Sequence, residues 1–197
     1  ALSEAAAAVG QGQVRNRGTI GGNLAHGDPS SDPPAAFLAL GGSVVTRPDS
    51  EERTIAADDF FQDMFMTDLG ETEIITGLEV PVPSTERLSD YSKLPNPSSG
   101  HAIVGVAAAL EVRDGTVRSA VVAANGATGR ARRLTTVEHV LDGSPFRESV
   151  LEEASEHGSE NVDEDEVLSD THTSAEYRMN LLNVHTERVL KKLLDRG

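Results

Sequence analysis

Residues 15–40, RNRGTIGGNLAHGDPSSDPPAAFLAL, are the stretch on which the reading of the chain turns. Two adjacent glycines, an asparagine, a loop of Asp, Pro and Ser, and a short apolar segment follow one another within it. Gly21 and Gly22 present no side chain, so the backbone can come close to a bulky ligand. They also permit positive φ, at which successive N–H groups point into one concavity that suits an anion. Thr19 and Asn23 flank the pair with a hydroxyl and a carboxamide, which can hydrogen-bond phosphate oxygens without adding negative charge. Asp32-Pro33-Pro34 reads as a helix N-cap followed by proline at the first helical position, and Gly41-Gly42 reads as the stop.

A glycine pair alone marks an ordinary turn, and a cap alone explains Asp32. The order of the parts says more: Thr-Ile-Gly-Gly-Asn, then a polar loop with Asp28-Pro29, then Ser31-Asp32 opening a helix. This run resembles the second FAD-binding segment of the flavoprotein (medium) subunit of molybdenum hydroxylases, the family of aerobic carbon monoxide dehydrogenase medium subunits and of the xanthine dehydrogenase flavin domain. Leu24-Ala25-His26 makes it more similar to the carbon monoxide dehydrogenase type. The resemblance implies an α+β fold. Residues 1–83 would be the second subdomain of an FAD-binding domain of the vanillyl-alcohol-oxidase/PCMH type, half of the FAD cradle. Residues 84–197 would form a C-terminal domain of a small antiparallel sheet followed by a helical bundle.

Composition is compatible with this. The chain has 197 residues, enough for one large domain or two small ones with a real core. It has no cysteine, which excludes a disulfide framework and any iron–sulfur cluster held by this chain alone. No apolar run approaches the roughly 20 residues of a membrane span, and nothing resembles a signal peptide, so the expected location is the cytoplasm. The net charge is −15, with 32 acidic against 17 basic residues, which argues against nucleic acid as a partner. Lysine occurs only at positions 93, 191 and 192. Acid spread along a chain so poor in lysine suggests a halophilic protein, because at 1 M salt the Debye length falls to about 3 Å and self-repulsion fades. Unfolding measured against KCl is therefore expected to show rising stability; greatest stability in dilute buffer would contradict this.

Outward from the glycine stretch, residues 1–9 are helix-prone and end at the Gly10-Gln11-Gly12 turn. Ser43-Val44-Val45-Thr46 and Arg53-Thr54-Ile55 read as a hairpin around a turn at 47–51. Residues 57–64 have helical character, with Phe60, Phe61 and Phe65 as the expected buried face. EIITGLEV at 73–80 reads as a strand, and Pro83-Ser84-Thr85 as the domain boundary. Beyond it, strands near 91–94 and 101–112 precede an Asp114-Gly115 two-residue turn and a returning strand at 117–124. Helices are expected at 136–141, 146–157 and 174–194. Thr173-Ser174-Ala175-Glu176 suggests a capping box, and Tyr177, Leu181, Val184, Val189 and Leu193 an apolar stripe. The run Asp163-Glu164-Asp165-Glu166 reads as a solvated acidic turn.

Carried over residue by residue, the resemblance implies that Thr19, Ile20, Gly21, Gly22 and Asn23 hold the FAD pyrophosphate, mainly through backbone N–H groups. It places Asp32 at the acid that hydrogen-bonds a ribose hydroxyl and Ile74 and Ile75 along the flavin site. Lys93 falls at a lysine near the isoalloxazine ring, where a cation favours the reduced, anionic flavin. The implied role is an oxidoreductase subunit that carries FAD and passes electrons from an iron–sulfur small subunit to an external acceptor. Molybdopterin would sit in a large partner subunit and the [2Fe-2S] clusters in the small one. The other reading is a non-catalytic assembly or binding module with the same fold. His26, His101 and His172 show no ligand spacing and are not taken as metal or acid–base residues. The chain lacks the family's first glycine-rich phosphate loop, so it is expected to be part of a longer subunit, inactive by itself and binding FAD only in the high-micromolar range or worse.

Overall fold

The computed structural model describes residues 1–47, 52–82 and 86–197. Residues 48–51 of the turn expected at 47–51, and the boundary expected at 83–85, fall outside them. The chain opens with four short helices, α1 (Leu2–Ala8), α2 (Gly12–Arg15), α3 (Ile20–His26) and α4 (Asp32–Ala39). Strands β1 (Ser43–Arg47) and β2 (Arg53–Ala56) pair antiparallel, and β5 (Ile74–Glu79) joins the other edge of β1 to give the order β2-β1-β5. Between them lie the single turn α5 (Ala57–Phe60) and the small hairpin of β3 (Phe61–Asp63) and β4 (Met66–Thr67).

The second half is an antiparallel meander, β6 (Arg87–Pro95), β7 (Ala102–Arg113), β8 (Thr116–Asn125) and β9 (Arg132–Arg133), in that spatial order. Helices α6 (Thr135–Leu141), α7 (Glu148–Glu156) and α8 (Ala175–Leu194) follow. Asp114 and Gly115 both take positive φ (51° and 68°), the two-residue turn that matches the twist of β7 and β8. The acidic run forms an exposed 3-10 turn at Glu164–Glu166, where Glu166 pairs with Arg132. Among the described residues no group of three or more His, Asp or Glu could hold a metal, and no helix is long and apolar enough to cross a membrane.

Strand β7 shows why the two halves share one structure. Its residues 102–110 are all buried, because the sheet is covered on both faces. Val104, Val106, Ala108 and Leu110 face a core with α6, α7 and α8. The alternate Ala107 and Ala109 face a second core with α1 and α4. The second face is built of small residues because α4 lies on it, and all eight residues of α4 are buried.

Three local expectations are corrected. The helix at 57–64 is one turn followed by a hairpin: Phe60 and Phe61 are buried, but Phe65 is 54 % exposed at the hairpin tip with φ 55°. Adjacent buried aromatics mark the change from a helix turn into a strand, which a three-aromatic spacing disguises. The last helix is capped by Ser174, whose hydroxyl accepts from Tyr177 N, so Thr173 and Glu176 form no box. Its buried face is also more polar than the apolar stripe, for it includes Arg178, His185 and Thr186, while Tyr177 is 46 % exposed.

Arg178 has a structural task. Its Nη1 donates to the carbonyls of Ile103 and Gly126, each at 2.7 Å, and Nη2 donates to Asp170 at 2.6 Å. Replacing it by methionine leaves two buried carbonyls without a donor, at an expected cost of about 3 kcal/mol. Urea unfolding measures this, and a loss below about 1 kcal/mol would mean that water replaces the guanidinium.

Candidate functional site

The glycine pair lies in the first turn of α3. Thr19 is the N-cap, extended at φ −117° and ψ 153°, and its Oγ1 accepts from Gly22 N at 3.0 Å. The N–H groups of Ile20 and Gly21 precede any carbonyl one turn back that could receive them. Positive φ at Gly21 and Gly22 is thus corrected: both are right-handed helical, and their value is the missing Cβ. The two glycines face different ways. A Cβ on Gly21 would rest at an ordinary 3.8 Å from Ile75 Cγ2 on β5, whereas one on Gly22 would sit 3.0 Å from Thr19 Oγ1, on a cavity wall.

That cavity, of about 440 Å³, lies among α1, α2, α3 and the start of α4. Ala6, Val9, Val14, Ile20 and Pro33 give it apolar walls; Thr19, Gly22 and Asn23 form its polar side, and Arg15 and Arg17 its cationic rim. Its size is that of a small-ligand pocket. Arg15 Nη1 donates to the carbonyls of Val9 and Gly10 at 2.8 and 2.9 Å, which fixes the α1–α2 turn. Arg17 makes no ion pair among the described residues. Asn23 exchanges hydrogen bonds with the Ser31 hydroxyl (2.6 and 2.9 Å), tying α3 to the cap of α4.

Asp32 is corrected from an N-cap to the first residue of α4, with Ser31 in the cap position. It is 2 % exposed, and both its oxygens are engaged: Oδ1 accepts from the Tyr91 hydroxyl at 2.7 Å and Oδ2 from Lys93 Nζ at 2.8 Å. Burial raises its pKa above the usual carboxylate value, against the lowering influence of Lys93 and Tyr91. Burial and the neighbouring carboxylate push Tyr91 well above its ordinary value, so it stays a donor. Lys93 Nζ also donates to the carbonyls of Ala8 and Gly100, both at 2.8 Å, so its three protons are in use.

Of the residues read from sequence, Thr19, Ile20, Gly22 and Asn23 therefore line one cavity. Ile75 stands behind Gly21, Ile74 points outward at 68 % exposure, and Asp32 and Lys93 form an ion pair at the start of α4. Sequence reading missed Tyr91. The signal was available: it lies two residues before Lys93, which in a strand puts both side chains on one face.

A mixed α/β chain whose small-residue helix turn opens on a cavity with cationic and apolar walls has the makings of a nucleotide-cofactor module. Residues 1–83 match the family described as "FAD binding domain in molybdopterin dehydrogenase", and residues 89–193 match "CO dehydrogenase flavoprotein C-terminal domain". The chain belongs to the FAD-binding medium subunits of molybdenum hydroxylases, which are oxidoreductase subunits, and the cofactor of this subunit is FAD.

It is 38 % identical over 178 residues to the nicotine 6-hydroxylase medium subunit of Paenarthrobacter nicotinovorans, a match that covers 90 % of this chain and 61 % of that one. It is 33 % identical over 155 residues to the carbon monoxide dehydrogenase medium chain of Hydrogenophaga pseudoflava, covering 79 % and 54 %. Among solved structures, carbon monoxide dehydrogenase from Oligotropha carboxidovorans superposes with a TM-score of 0.90 at 28 % identity, over 98 % of this chain and 67 % of that one. Quinoline 2-oxidoreductase from Pseudomonas putida 86 does so with 0.86 at 29 %, over 96 % and 65 %.

Proposed function

We propose that the cavity beside α3 receives the diphosphate portion of FAD, and that the subunit passes electrons from an iron–sulfur partner to an external acceptor. The observation that carries the cavity assignment is Gly22: a wall of the cavity is bare backbone at the one position where a Cβ would crowd the Thr19 cap. Thr19 and Asn23 offer polar groups on the same side, and Arg17 offers a charge to oppose the two negative charges of the diphosphate. The apolar walls from Ala6, Val9 and Pro33 exclude water from the ligand's flank. FAD, when bound, supplies the redox chemistry, for which no side chain of this chain substitutes.

Partners follow from the same reading. Without cysteine, the chain needs an iron–sulfur small subunit to deliver electrons and a molybdopterin large subunit to oxidise the substrate. The test is FAD content and affinity of the purified subunit, measured by flavin absorbance and titration at several KCl concentrations. A net charge of −15 repels the ligand at low salt, so affinity is expected to rise with KCl. A folded, colourless protein that ignores added FAD would favour a non-catalytic assembly module.

A further inference from the structure

We propose that Met64 and Met66, which flank Phe65 at the tip of the β3–β4 hairpin, form a site of reversible oxidation to methionine sulfoxide by hydrogen peroxide. The supply of oxidant rests on the reading of the cavity beside α3 as the FAD site: two electrons and two protons passed from a reduced flavin to dioxygen yield peroxide.

The chain has three methionines. Met179 is partly buried against the core that α8 shares with the large sheet, whereas Met64 and Met66 are 42 % and 59 % exposed. Among the described residues, positions 64–66 are the only place where three successive large apolar side chains are exposed. The backbone holds this tip in place. Phe65 N donates to the Gly27 carbonyl at 3.0 Å, Met64 N donates to Asp63 Oδ1 at 2.7 Å, and Arg130 Nη1 donates to the Phe61 carbonyl at 3.0 Å. Positive φ at Phe65, unfavourable for so bulky a residue, goes with a ring centroid 5.1 Å from that of His26. The thioethers on either side of that ring thus meet an oxidant without any unfolding. Their position supplies it. Gly27 is the C-cap of α3, and Thr19, its N-cap, lines the cavity, so the seven residues between them put the tip about 10 Å from the cavity's polar side. In the reaction a sulfur lone pair attacks one peroxide oxygen: an S–O bond forms, the O–O bond breaks, and the departing hydroxide takes the remaining proton to leave as water. Sulfur loses two electrons and peroxide gains them. The product is a polar, chiral side chain that methionine sulfoxide reductases return to the thioether with electrons from a thiol, so the tip changes between apolar and polar.

The experiment treats the subunit with dilute hydrogen peroxide and maps the added oxygen residue by residue by mass spectrometry. Met64 and Met66 are expected to be modified at least about tenfold faster than Met179, and all three at similar rates in urea. Methionine sulfoxide reductases supplied with a thiol should remove the added oxygen. Met64→Leu/Met66→Leu keeps the apolar bulk of the tip without the sulfur, so its hairpin should take up no oxygen while its FAD affinity stays that of the parent. In a second arm, the FAD-bound subunit is photoreduced without oxygen and then exposed to air in the dark. The same two residues should be modified, and catalase should prevent it. Equal rates for the three methionines in the folded subunit, or added oxygen that the reductases leave in place, would overturn the proposal. So would unmodified thioethers after repeated cycles of reduction and air. A subunit that holds no FAD is a different failure: it overturns the cavity reading, and the added-peroxide arm still decides whether the tip is the site.

Discussion

Gly22→Val is expected to empty the subunit of FAD while leaving its far-UV circular dichroism near native. A valine there adds a branched side chain on the cavity side of α3, and its Cβ starts 3.0 Å from Thr19 Oγ1. Two things then fail together. The volume next to the first-turn amides is filled, and the hydroxyl that caps the helix must move, which costs about 1 kcal/mol. The second loss is small against the stability of a domain, typically about 5–15 kcal/mol, whereas the first removes the ligand's place. An affinity loss of about a hundredfold or more, equivalent to about 3 kcal/mol, is the expected result. Gly21→Ala is the control, because its Cβ meets only Ile75 Cγ2, at 3.8 Å, and the backbone amide is retained. That variant should keep its flavin and gain up to about 1 kcal/mol of helix stability. Equal flavin content in Gly22→Val and the parent subunit would remove this turn from the site.

What could be read from the sequence follows the range of the interaction behind each feature. The Asp114-Gly115 turn, the β1–β2 pairing and the start of α8 at Ser174 depend on residues within a few positions of one another, and their signals survive in one dimension. The site was legible as far as its local part, Thr19 to Asn23, because a cap and a glycine pair are local devices. Asp32 was not. Its sequence context, Ser-Asp-Pro-Pro, is that of a helix start, and only partners 59 and 61 residues away, Tyr91 and Lys93, turn it from a cap into half of a buried pair. Helix α4 hides in the same manner: an element buried on every side has no polar face, so periodicity carries no information about what it packs against. Phe65 fails for a third reason, since its exposure at φ 55° depends on a tight hairpin between Asp63 and Met66 that no glycine announces.

Strand β6 also explains the last expected result, which concerns acid. Tyr91 and Lys93 face α4, so the alternate residues Asp90 and Ser92 face α8, where Ser92 Oγ lies 3.0 Å from His185 Nδ1. Asp90 pairs with Lys192 and Arg196 on the same side. His185 is 1 % exposed, and burial, followed by the charges of Arg188 and Lys192, pushes its pKa down to about 4. In the unfolded chain it titrates near 6.5. Between these values the unfolded state binds the proton and the folded state does not, so stability rises with pH through the window. The contribution is complete above about pH 6.5 and is lost as pH falls towards 4, where the loss amounts to about 3 kcal/mol. Asp32, whose pKa is raised by burial, has the opposite sign. His185→Gln isolates the histidine, since glutamine can still hydrogen-bond Ser92 and does not titrate. Urea unfolding from pH 7.5 to 4 is expected to show a fall in stability that is about 3 kcal/mol shallower in the variant. Parallel curves for the two proteins would mean that His185 is protonated in the fold and that its contact with Ser92 survives the charge.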